Sequence, residues 1–201
     1  MPPGRVTRVA LPPLPPAEGQ AQPRDAATLH HDFETQKQEK LQTLATLENQ
    51  RVAASLMSST IGAPPIARLG SADLQARVLP DIISGRKISA LAITEPSGGS
   101  DVRALRTRAV RDGDVWRVTG EKTFITSGMR ADFYTVAVRT GGAGAGGVSL
   151  LLIERGMPGF TQQPLKKMGW WASDTAQLFF DDVKVPVENL IGEENKGFKY
   201  V

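Results

Sequence analysis

Short apolar runs, some alternating with polar residues and some continuous, dominate the chain from Lys87 onward. They cover Ile88–Thr94, Leu105–Val110, Val115–Thr119, Thr123–Thr126, Phe133–Arg139, Val148–Glu154, Ala176–Phe180 and Val183–Val185. Runs of this length separated by turn residues read as strands. Arg111-Asp112-Gly113-Asp114 is a hairpin signal, and the five glycines among Gly141–Gly147 suit a loop between two strands. Several short strands with few helices between them predict an antiparallel barrel or sandwich over residues 87–196.

The first part of the chain has a different texture. Residues 26–58 contain no Gly or Pro, and Phe33, Leu41, Leu44, Val52 and Leu56 recur at mixed three- and four-residue spacings. That spacing predicts an amphipathic helix, with one possible break, that Pro64 and Pro65 bring to an end. Ser71 offers an N-cap to a short helix through Leu74, Val78 and Leu79, and Gly85 marks its end. Before all of this, seven of the 14 prolines fall within the first 23 residues. Such density favours an extended leader over residues 1–25 with no packed core. The predicted class is therefore α+β: a short N-terminal helical part, residues 26–86, followed by an antiparallel β-barrel.

Composition narrows the chemistry. With no cysteine among 201 residues, disulfides, thiolate zinc sites and a cysteine nucleophile are excluded. The two histidines, His30 and His31, are adjacent and read as solvated. A Ser-His-Asp triad or a multi-histidine metal site elsewhere is excluded with them. No metal ligands are assigned. The net charge of +3 is small and forms no basic tail, so nucleic acid is not expected as a partner. No apolar run approaches the roughly 20 residues of a membrane span. The opening Met-Pro-Pro-Gly-Arg lacks the apolar core of a secretory signal, and a cytoplasmic location is expected.

Three segments carry candidate chemistry. In Leu91-Ala92-Ile93-Thr94-Glu95-Pro96-Ser97-Gly98-Gly99-Ser100-Asp101 a strand ends at a hydroxyl and opens into a glycine loop. Glycines allow a ligand close to the backbone and free amides to bind anionic oxygens. In Gly120–Gly128, Phe124 and Thr126 are two apart on a predicted strand and share a face, placing an aromatic ring beside a hydroxyl. In Met168–Ala176, Trp170 and Trp171 precede a strand and read as core packing. The neighbouring Asp181 and Asp182 point to opposite faces of any strand and read as a solvated turn rather than a catalytic pair.

Taken in this order, the stretches LAITEPSGGSDV (Leu91–Val102), GEKTFITSG (Gly120–Gly128), KMGWWASDTAQLFFDDVKV (Lys167–Val185) and ENLIGEENKGF (Glu188–Phe198) resemble the acyl-CoA dehydrogenase family. The resemblance runs from about Ile61 to Val201; residues 1–60 show none. It implies a helical N-terminal domain, a middle β-barrel and a C-terminal helical domain. It also implies FAD as cofactor, oxidation of acyl-CoA to trans-2-enoyl-CoA, and electron-transfer flavoprotein as the electron acceptor. Residue by residue, Leu91, Ala92, Ile93, Thr94, Gly99 and Ser100 match the segment lining the flavin and pyrophosphate. Ser100 also matches a position near the thioester arm of the substrate. Phe124, Ile125 and Thr126 match the flavin edge, with Phe124 where many members carry tryptophan and Thr126 at the hydroxyl that meets flavin N5. The family's catalytic glutamate lies in the C-terminal helical domain, which the resemblance places from Gly197 onward, so no catalytic base is assigned here. The expectation is a truncated acyl-CoA dehydrogenase-like chain that self-associates or takes its helical domain from a partner. The alternatives are a non-catalytic module binding FAD, acyl-CoA or a protein, and a gene remnant. Phe133, Val136, Val138, Leu150, Leu152, Phe179 and Phe180 are too many apolar residues for one small core, so part of the strand surface is expected to be exposed.

Overall fold

The computed structural model describes residues 35, 38–42 and 60–200. The chain divides into two compact units, residues 1–45 and 46–201. In the first, residues 35 and 38–42 are helical, in line with the predicted helix, and Leu41 is exposed. The Pro-rich leader, the histidine pair, Phe33, Leu44, Val52 and Leu56 lie outside the described residues.

The second unit begins with two helices, α1 (Ala63–Leu69) and α2 (Ala72–Ile83). Pro64 and Pro65 do not end a helix here; they sit in the first turn of α1, where a missing N–H costs nothing. Ser71 caps α2 as expected, its hydroxyl accepting from the Leu74 amide at 3.2 Å. The buried stripe of α2 is Leu74, Val78 and Ile82; Leu79 is only partly covered.

Eight strands follow: β1 (Ser89–Ala92), β2 (Arg108–Asp112), β3 (Val115–Thr126), β4 (Phe133–Arg139), β5 (Val148–Glu154), β6 (Phe160–Pro164), β7 (Thr175–Pro186) and β8 (Leu190–Ile191). They form one sheet in the order β6-β7-β3-β2-β4-β5-β8, with β1 beside β4. The α+β class stands, and most pairings are antiparallel. The sheet is nonetheless open rather than a closed barrel, and β1 and β2 both run parallel to β4. β2 and β3 form the predicted hairpin, with Gly113 at φ 60° in a two-residue loop.

Two predicted strands on either side of Gly120 are one 12-residue strand, and so are the two on either side of Asp181. The reason is a bulge in each. Thr123 and Phe124 of β3 oppose Gln177 alone, and Asp181 and Asp182 of β7 oppose Thr119 alone. Asp181 and Asp182 are therefore not a turn. Asp182, at φ 53°, swings toward Arg117 and pairs with its guanidinium at 2.5 and 2.6 Å. The edge strand β6 has too little apolar character to show in the pattern. It is held by Phe160, which stacks on Phe180 at 5.1 Å and meets Tyr134 edge-on at 4.8 Å.

β4 and β5 are buried on both faces, which is why they read as continuous apolar runs. On one face Tyr134, Val136, Val138, Leu151 and Ile153 pack with Trp116, Val118, Leu178 and Phe180. On the other, Phe133, Ala137, Leu150 and Leu152 pack with Ile66, Leu74, Val78 and Ile82 of the helices. The apolar strand residues expected at the surface are thus buried between two cores, apart from the partly covered Phe179.

Candidate functional site

The site begins where β1 ends. Ala92 is fully buried, and the next residues, Ile93 and Thr94, are half-buried as the chain leaves the sheet. Glu95 and Gly98 then exchange backbone hydrogen bonds at 3.0 and 3.2 Å, closing the Glu95–Gly98 turn. Beyond it Gly99 and Ser100 are exposed, and a β-carbon added at Gly99 would meet Thr94 Cγ2 at 3.4 Å.

This loop is tied directly to the second motif. The Thr123 amide donates to the Thr94 carbonyl at 2.9 Å. One residue on, the bulge puts Phe124 at φ 59° and turns its ring outward, 69% exposed. Ile125 points back into the core, and Thr126 is half-buried on the same side as Phe124. Leu91–Thr94, Gly99, Ser100 and Phe124–Thr126 therefore converge at one end of the sheet, although 23 residues separate Ser100 from Phe124.

The third motif is attached below Thr126, which pairs with Thr175 of β7. The Ser127 amide donates to the Asp174 carbonyl at 3.0 Å, and the Asp174 carboxylate accepts from the Met129 amide at 2.7 Å and from Arg130 at 2.6 Å. Inside the loop, Lys167 Nζ donates to the carbonyls of Trp170, at 3.0 Å, and Ser173. The tryptophans are not core residues. Trp170 and Trp171 are 70% and 71% exposed, because the Lys167 tie and the φ of 58° at Trp170 turn both rings away from the sheet.

Two features of this region went unassigned in the sequence. The first is a buried ion pair beneath the loop. Lys122 Nζ lies 2.8 Å from Glu95 Oε1 and donates to the Ile93 carbonyl at 3.0 Å. Glu95 also accepts from the Arg106 and Thr107 amides at 2.6 and 2.9 Å. Burial disfavours the Glu95 carboxylate, but Lys122 and the two amides outweigh it, and its pKa lies below the ordinary value. Burial dominates at Lys122, against the pull of Glu95, and its pKa falls to about 8. The two-residue alternation of Trp116 and Val118, carried on to Gly120 and Lys122, points to this burial. The break read at Gly120 hid it.

The second feature is a groove of about 990 Å³ that starts at Asp101, just past the glycine loop, and runs along β2 to the loop after Arg139. Arg103, Arg106, Arg108 and Arg111 line it. The side chains of Arg106 and Arg108 meet no ion-pair or hydrogen-bond partner among the described residues. Its wall is set by Arg139, which donates to the carbonyls of Leu105 at 2.9 Å, Arg103 at 2.6 Å, Gly144 at 3.1 Å and Gly142. The buried Trp116 indole N–H at its edge has no acceptor among the described residues.

The sequence profile of the acyl-CoA dehydrogenase middle domain matches residues 90–183. Acyl-CoA dehydrogenase apdG of Emericella nidulans is 48% identical over 143 residues, covering 70% of this chain and 33% of that protein. The mouse mitochondrial long-chain specific acyl-CoA dehydrogenase is 44% identical over 149 residues, covering 72% of this chain and 35% of that one. Among solved structures, a probable acyl-CoA dehydrogenase from Mycobacterium abscessus aligns with a TM-score of 0.73 at 55% identity, covering 75% of this chain and 40% of that one. The chain thus spans about a third of the length of these curated relatives. No described helix is long and apolar enough to cross a membrane. Through its middle-domain region, the chain belongs to the acyl-CoA dehydrogenase family.

Proposed function

We propose that residues 87–196 are the flavin- and acyl-CoA-binding part of an FAD-dependent acyl-CoA dehydrogenase, whose reaction is α,β-dehydrogenation of an acyl-CoA to the trans-2-enoyl-CoA. The observation that carries this reading is the Thr123–Thr94 backbone bond, which joins the glycine loop to the Phe124–Thr126 strand end. The donor set fits the cofactor. The hydroxyls of Thr94, Ser100 and Thr126 have no hydrogen-bond partner among the described residues, and Phe124 offers an uncovered ring beside them. A flat heterocycle with a phosphate tail needs a ring face, edge donors and free amides next to a glycine loop.

In this reading Phe124 covers a face of the flavin and Thr126 donates to its edge. The Gly99 and Ser100 amides and the Ser100 hydroxyl hold phosphate oxygens, and Ser100 borders the thioester arm. FAD, when bound, supplies the hydride acceptor, and an electron-transfer flavoprotein would take the electrons onward. The arginines of the groove suit the phosphates of the CoA moiety. No residue described here is assigned as the base for the α-proton. Removal of that proton is left to residues outside this site, in a helical region that a second copy or a partner could also provide.

The test is titration of FAD into the purified chain, followed by flavin fluorescence. A lost hydrogen bond to a ligand costs about 1 kcal/mol, roughly fivefold in affinity. Ser100→Ala and Thr126→Val should each weaken FAD by at least that factor, and Ser173→Ala should change it less. Equal affinity in all three variants counts against the assigned site.

A further inference from the structure

We infer that Glu95 and Lys122 are a positioning pair for the flavin, holding the Ile93–Gly98 loop and the Thr123–Thr126 end of β3 at a fixed separation. The inference rests on the flavin reading above. Neither residue reaches the exposed side of the loop: their side chains are 4% and 0% accessible. Both act through the backbone. Lys122 holds the Ile93 carbonyl at 3.0 Å, and its neighbour Thr123 holds the Thr94 carbonyl at 2.9 Å. Glu95 closes the turn to Gly98 with its backbone. Its carboxylate anchors the returning chain at the Arg106 and Thr107 amides, and the Thr107 hydroxyl reaches the Glu121 carbonyl at 3.0 Å. Thr94, Gly99, Phe124 and Thr126 are thus spaced by one buried charge cluster.

Stability alone does not account for such a pair. A buried ion pair is often matched or bettered by apolar residues of similar volume. Apolar side chains here could fill the space, but they could not accept from two amides while donating to the Ile93 carbonyl. The geometry calls for one anion and one cation. The charged groups acting on Lys122 are Glu95, which favours the ammonium, and Arg139, which opposes it. The cluster therefore loosens as pH rises through about 8, where Lys122 loses its proton.

The experiment compares the full wild-type chain with Glu95→Gln, Lys122→Met, the double variant, and Val78→Ala as a destabilised control. Val78 is a fully buried residue of α2, outside the loop and the β3 end that the pair spans. FAD affinity and the position of the flavin absorption bands are measured from pH 6 to 9.5, below every melting temperature. Each single variant is expected to lose about tenfold or more in affinity and to shift the flavin bands, while Val78→Ala keeps both. Wild-type affinity should fall above pH 8, and the double variant should show a flat profile. If a single variant does not fold, the wild-type pH profile and the double variant decide. Folded variants with wild-type affinity and bands, or a wild-type affinity flat through pH 8, overturn the positioning role alone. A wild-type chain that binds no FAD overturns the flavin reading and this inference with it.

Discussion

Phe124 sits in a backbone conformation that an L-residue adopts at a cost of about 1–2 kcal/mol. Its ring recovers little of this by packing, since it is mostly exposed. A strained, uncovered aromatic is better explained by a ligand than by the fold. Phe124→Gly removes the strain and loses little contact. It should raise stability by up to about 1 kcal/mol in a thermal melt while weakening FAD binding. A melting temperature that falls instead would show that the ring supports the fold. The buried pair makes a separate prediction in pH. The Glu95 pKa is depressed in the folded chain, so its contribution to stability is present above the ordinary carboxylate range and is lost as acid passes the depressed value. Lys122 is lowered to about 8 from 10.5, so between those values the unfolded chain binds more protons. Its contribution to stability therefore rises across that window. Melts from pH 3 to 10 should show loss on the acid side from Glu95 and none at pH 8 from Lys122. FAD affinity, by contrast, should drop near pH 8.

At the scale of elements, the cap on α2 can be tested alone. Ser71→Ala removes the one side chain that accepts from the first turn and should cost about 1 kcal/mol, read by chemical denaturation. This cap was visible in the sequence because capping is local. So were β4 and β5, whose burial on both faces leaves unbroken apolar runs. The misses have a common physical origin in non-local pairing. β3 and β7 continue through Gly120 and Asp182 because each bulge is matched to the partner strand, and nothing within either strand announces that match. Gly120 does carry a signal in hindsight. It lies at φ 143°, and a β-carbon there would meet Thr107 at 2.7 Å, so it marks a close crossing and not a strand end. The ring of Phe124 beside the Thr126 hydroxyl was legible from two-residue spacing, and it survives because Phe124 is the last residue of the bulge and the register with β7 resumes at Ile125. The Glu95–Lys122 pair was not legible. It joins residues 27 apart, and the polar character of Lys122 argued against a core position.

At the scale of the whole molecule, the apolar surface lies elsewhere than the strand pattern suggests. The strands bury their side chains in two cores, and the exposed large apolar residues include Met168, Trp170, Trp171 and Phe124. Three of these come from one loop, and the fourth lies two residues before Thr126, which pairs with Thr175 just past that loop. Burying one large apolar side chain contributes about 1.5–3 kcal/mol. Two tryptophans and a fully exposed methionine held out from one anchored loop therefore favour association strongly. The loop is fixed in place by the ties of Asp174 to Met129 and Arg130 and of Lys167 to Trp170, so little ordering cost opposes it. The full chain should self-associate with rising concentration in light scattering and bind an apolar dye. Trp170→Ser with Trp171→Ser should reduce both while leaving the thermal melt nearly unchanged, because neither ring packs in a core. A wild-type chain that stays monomeric at high concentration and binds no dye would show that this face does not drive assembly. Loss of folding in the double variant would show that the tryptophans support the loop instead of serving an interface.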